Sequence, residues 1–95
     1  MNSQITIASV QMLKKESRKE NLDIISSYLN YISINLSQVQ LVVFPELVVS
    51  SFKRDLESQA ESIPGSLTKK FSAFAKKYKL WLVAGSIYES YNNKI

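Results

Sequence analysis

V-Q-L-V-V-F-P-E-L, residues 39–47, is the stretch whose reading decides the fold. Its first six residues are nearly all apolar. A strand buried on both faces of a parallel sheet reads as a continuous run, whereas a half-exposed antiparallel strand alternates. Pro45 has no N–H to give to a ladder, so it ends the strand. Upstream, Ile5, Ile7 and Val10 lie in a stretch from Gln4 to Gln11 with strand length and β-branched content. Between the two strands, Ser17 and Glu20 form an S-x-x-E capping box. Leu22, Ile25, Leu29, Ile32 and Leu36 then recur in steps of three and four, one stripe of a helix, with polar Asn21, Ser26, Ser27 and Asn30 around it. Strand, capped helix and buried strand make one βαβ unit, right-handed by the general rule.

Beyond the deciding stretch, residues 50–63 are polar and charged and read as a long loop, with a helical turn around Lys53 to Ala60. Pro64-Gly65 punctuates it. A second amphipathic helix is expected from Ser66 to Lys79, with Leu67, Phe71, Phe74, Ala75 and Tyr78 inward. Leu80 to Ile87 reads as the third buried strand, and Glu89 to Ile95 as a polar tail without a closing element. The order β-α-β-α-β defines an α/β chain with an open, mostly parallel sheet. Three strands and two helices leave exposed edges and one bare face, so the chain looks unfinished.

Composition narrows the chemistry. The 95 residues contain no cysteine and no histidine. That removes disulfides, thiolate nucleophiles, imidazole bases and nearly every Cys/His metal site, and leaves acid–base work to carboxylates, lysines or tyrosines. A chain this short buries only about 60–65% of the surface exposed when unfolded, which implies marginal stability. The net charge is +4 and the pI near 9.4. The charge invites a nucleic-acid reading, but Lys69, Lys70, Lys76 and Lys77 fall at the spacing of a helix's wet face, without interleaved aromatics. No secretory signal is visible, and the apolar run Leu41 to Phe44 is too short to span a bilayer. The expectations are a cytoplasmic protein with neither nucleic-acid nor membrane partners.

Functional groups in open parallel sheets gather past the carboxyl ends of the strands. Glu46 follows the central buried strand directly, with Pro45 fixing its approach and apolar Leu47, Val48 and Val49 behind it. Such surroundings would raise a carboxylate's pKa toward a general base's working range, while a solvated glutamate or a helix cap is the plain alternative. Glu89 is a candidate second carboxylate at the end of the third strand, or a polar residue opening a turn. Gly85 suits either a close backbone approach or a bulge. Tyr28, Tyr31 and Trp81 read as core or interface side chains.

At F-P-E-L, residues 44–47, the chain resembles the nitrilase, or carbon–nitrogen hydrolase, superfamily. I-A-S-V-Q (7–11) resembles that family's first strand, and Asn21 sits where its first helix commonly carries asparagine. P-G-S-L (64–67) and F-A-K-K-Y-K-L-W-L-V-A-G-S-I-Y-E (74–89) resemble the helix, strand and turn that follow, and Tyr91-Asn92 falls near its tyrosine–asparagine segment. The resemblance implies that residues 1–95 are the N-terminal portion of a four-layer αββα sandwich that pairs into oligomers. It implies a small amide-type substrate, no cofactor and no metal. It also implies a Glu-Lys-Cys triad, of which only the glutamate is present, at Glu46. Lys94 is in the wrong segment for the lysine, and without cysteine the isolated chain is expected to be inactive. Phe52 falls where the family often places a Gly-aromatic pair in the pocket, with Ser51 here in the glycine's place. The alternative is a non-catalytic α/β module that binds itself or a partner.

Overall fold

The computed structural model describes residues 3–46, 48–50 and 55–95. Three strands, β1 (Thr6–Ser9), β2 (Val39–Val43) and β3 (Trp81–Val83), form one parallel sheet in the order β1-β2-β3. The run around Val39 therefore occupies the centre. Ile7 stands opposite Leu41 and Ser9 opposite Val43, while Val42 and Val43 face Leu82 and Val83. The third strand is shorter than the apolar run from Leu80 to Ile87 suggests. Gly85, at φ +79, takes the chain out of strand geometry.

Helix α1 (Arg18–Asn35) links β1 to β2, and α3 (Ser66–Tyr78) leads into β3. Two crossovers of one hand running in the same direction put both helices on one face of the sheet. They touch there: the Ser26 and Tyr78 hydroxyls share a hydrogen bond of 3.0 Å. Beneath them lies the core of Val10, Ile25, Leu29, Ile32, Val42, Phe44, Leu67, Phe71 and Leu80. Ile25 and Leu29 are fully buried, each contributing about 1.5–3 kcal/mol of transfer free energy.

The start of α1 follows the capping box in part. Ser17 Oγ accepts from the Glu20 N–H at 3.0 Å, but Glu20 meets the serine hydroxyl rather than the serine amide. Asn21 departs from the expectation of a polar outer face. It is completely buried, because its side chain satisfies both backbone groups of Lys15: the Lys15 N–H donates to Oδ1 at 2.7 Å, and Nδ2 donates to the Lys15 carbonyl at 3.1 Å. One amide thus closes the β1–α1 loop with no orphaned polar atom.

In the loop before α3, the expected helical turn is α2 (Leu56–Gln59), capped by Asp55. The loop is less free than its polarity suggests. The Glu61 N–H donates to the Tyr88 carbonyl and the Ser90 N–H to the Glu61 carbonyl, a short parallel bridge beyond β3. The tail also closes on itself: Tyr91 and Lys94 exchange two backbone hydrogen bonds around Asn92 and Asn93, both at positive φ. That is a two-residue turn of the kind asparagine favours, so the expectation of a tail without a closing element is corrected.

The sheet face away from the helices is bare. Ile7 is 53% exposed, Trp81 78% and Val83 46%, and Leu41 and Val43 between them are half-buried. Burial on both faces, as the continuous apolar run suggests, is therefore not what these strands have within the chain. Tyr28, Tyr31 and Trp81 are exposed, which takes all three out of the core.

Candidate functional site

The carboxyl ends of the three strands lie level. The Val10 N–H donates to the Val43 carbonyl and the Phe44 N–H to the Val83 carbonyl, each at 2.9 Å. On the β1 side Pro45 ends the ladder, because it has no N–H to offer the Val10 carbonyl. Glu46 follows in a turn, at the exit of the central strand. Its backbone is clamped on both sides: Phe44 before it and Val48, Val49 and Ser50 after it are all buried. The side chain itself is exposed. Within this chain the carboxylate therefore stands in solvent, and the apolar enclosure expected from its sequence neighbours is not there; Val48 and Val49 pack inward with the core instead.

Gly85 lies against this turn. A Cβ at position 85 would collide with the Pro45 carbonyl oxygen and come within 3.5 Å of the Glu46 Cα. The sequence left two readings of this glycine open, and the geometry gives close backbone approach together with a left-handed conformation.

Glu89 is placed differently. It lines an open apolar groove of about 540 Å³ between α3 and the free edge of β3, together with Leu67, Phe71, Trp81 and Leu82. Glu46 is not among the residues lining that groove. The two carboxylates are thus not brought into one cavity there. Phe52 lies outside the described residues.

A third carboxylate, passed over in the sequence as part of a polar loop, is held by three hydrogen bonds. Glu61 Oε2 accepts from Arg18 at 2.9 Å and from the Ser66 hydroxyl at 3.0 Å, and Oε1 accepts from the Leu67 N–H at 2.6 Å. Arg18 also donates to the Gln59 carbonyl. Partial burial pulls the Glu61 pKa up, but the Leu67 N–H, the Ser66 hydroxyl and the Arg18 charge outweigh it and leave the group below its ordinary value. Its position shortly before α3 was the available signal, since carboxylates favour helix N-termini. Its contacts are all internal, so it joins the starts of α1 and α3 rather than facing a substrate.

Among the described residues, no group of three or more His, Cys, Asp or Glu could hold a metal ion. No helix among them is long and apolar enough to cross a membrane. The four lysines of α3 lie exposed, as the wet-face reading expects.

A carboxylate at the exit of the central strand of a parallel, helix-covered sheet is an arrangement of α/β enzyme domains. The model of the carbon–nitrogen hydrolase family matches residues 6–95, and the chain belongs to that family. No match to a curated protein was found.

Proposed function

We propose that residues 1–95 are the N-terminal portion of a carbon–nitrogen hydrolase in which Glu46 is the general base, acting on a small carboxamide or another non-peptide C–N bond. The observation that carries this reading is the place of Glu46, exposed at the exit of the central strand in a chain matched to the family from residue 6 to 95. The carboxylate would take the proton of a cysteine thiol, and the thiolate would attack the amide carbon. A lysine ammonium would stabilise the tetrahedral intermediate. Glu46 then returns that proton to the nitrogen as the C–N bond breaks and the amine leaves, giving a thioester; water, deprotonated by the regenerated carboxylate, hydrolyses the thioester to the acid and the free thiol. Lysine and cysteine come from polypeptide other than these residues, because no cysteine is present and Lys94 sits in the Asn-Asn turn.

The same reading supplies a use for the bare sheet face. In a four-layer sandwich a second sheet covers Ile7, Trp81 and Val83, and association of such units gives a homo-oligomer. A cytoplasmic location, with no metal and no organic cofactor, completes the proposal.

The test is the intact mass of the product of the whole reading frame after incubation with small carboxamides. An acyl adduct on a cysteine, lost with Glu46→Gln, supports the mechanism; an adduct that forms equally in the variant removes Glu46 from it. The exposed apolar face also favours a second reading, a non-catalytic module that associates through that face. It predicts tight self-association with no hydrolysis from any product of the gene.

A further inference from the structure

We propose that Gly85 is the positioning residue for Glu46: β3 ends flush against the Pro45–Glu46 peptide, and this contact fixes where the carboxylate stands. The inference rests on the reading of Glu46 as the base. The Phe44 N–H to Val83 carbonyl bond is the last rung between β2 and β3, and Gly85, at φ +79, turns the chain out of strand geometry two residues on. Past that rung, Glu46 is an exposed residue in a turn, and steric contact must do what the ladder no longer does. Position 85 supplies it. A methyl group there would strike the Pro45 carbonyl oxygen and crowd its carbon at 3.0 Å, with the Glu46 Cα at 3.5 Å. These are backbone atoms, which cannot rotate out of the way as a flexible side chain would. The φ of +79 at Gly85 adds a second demand for glycine. Placing a Cβ at 85 therefore pushes the Pro45–Glu46 peptide off the end of the sheet, although residue 85 has no atom that reaches a substrate.

Glycine at position 65, extended at φ −157, provides a control for the steric clash alone. A Cβ there would also collide with backbone, at the Ser62 carbonyl, but the neighbouring side chain is Glu61 and the site is the start of α3. Gly85→Ala and Gly65→Ala thus carry a similar steric insult at two places, of which one touches Glu46.

The experiment is nuclear magnetic resonance of this 95-residue chain, assigned in the wild type and both variants. With the methyl signals of Ile25 and Leu29 kept as evidence of the fold, Gly85→Ala is expected to move the Glu46 amide and side-chain carboxyl resonances, and Gly65→Ala to leave them in place. Unmoved Glu46 signals in a folded Gly85→Ala chain overturn the proposal. Should that variant fail to fold, the wild type decides: an Overhauser contact between the Gly85 α-protons and the Glu46 amide proton upholds the proposal, and its absence overturns it. In the catalytic product of the whole gene, Gly85→Ala is expected to lower kcat per folded molecule by about 10²-fold, the scale of a misplaced reacting group, with KM little changed. Should Glu46→Gln leave hydrolysis intact, the reading of Glu46 as base fails while the resonance result still stands, so the two failures are distinguishable.

Discussion

Glu46 and Glu61 show how neighbours assign different work to one residue type. Glu46 follows the last rung of a ladder and stands in solvent, its backbone held by buried residues on either side. Glu61 accepts from an arginine, a serine and a backbone N–H, and its carboxyl sits below its ordinary pKa of about 4.5. The pH dependence follows from that depression. The stabilisation from Glu61 is fully present above the unfolded pKa and is lost as pH falls from about 4.5 through the lower folded value. Glu61→Gln should cost about 1.5–3 kcal/mol at pH 7, the scale of hydrogen bonds to a charged group. It should also flatten the acid limb of stability. Urea midpoints at pH 7 and pH 3 check this: the wild type should lose more between them than the variant, and equal losses would show that the Glu61 cluster contributes nothing.

Elements were legible where a periodic apolar pattern coincided with punctuation. Ser17 at the start of α1, Pro45 after β2 and Gly65 before α3 mark boundaries that a reader of the sequence can place. Glu46 was legible as well, because a carboxylate directly after a buried strand lies at the sheet's carboxyl edge. Other features depend on partners far away in sequence and leave little trace in it. Arg18 finds Glu61 across 43 residues, and the tail pairs with the loop through Glu61 and Glu89. The buried state of Asn21 follows from Lys15 backbone groups that only the folded loop presents. Helix α3 ends on Lys79, whose φ of 55 is left-handed, a conformation that costs a residue with a Cβ roughly 1–2 kcal/mol. Lys79→Gly should therefore raise stability by about 0.5–1 kcal/mol despite the greater freedom it gives the unfolded chain. A thermal melt that moves down would show that the lysine side chain holds the helix end by its own contacts.

At the scale of the molecule, the sheet is finished on one side and bare on the other. Two same-handed crossovers put α1 and α3 on a single face, so Ile7, Trp81 and Val83 are left without cover. Alternation along β3 makes the contrast plain: Leu80 and Leu82 turn inward while Trp81 and Val83 turn out. An apolar face of this kind drives association in water. Analytical ultracentrifugation of the chain at micromolar concentration should show self-association, and Trp81→Lys should weaken it strongly. A wild-type chain that sediments as a well-folded monomer would contradict this account of the face.

The central claim is that Glu46 is the base of a C–N hydrolase, and the rate of hydrolysis tests it most directly. The measurement is kcat/KM for small carboxamides with the product of the whole reading frame, in the wild type and with Glu46→Gln, an isosteric change at an exposed side chain. The account predicts a loss of about 10²–10⁴-fold, the scale of general acid–base catalysis, in a variant that melts at the wild-type temperature. Turnover retained within about threefold of the wild type would contradict it and leave the chemistry of this domain to another residue.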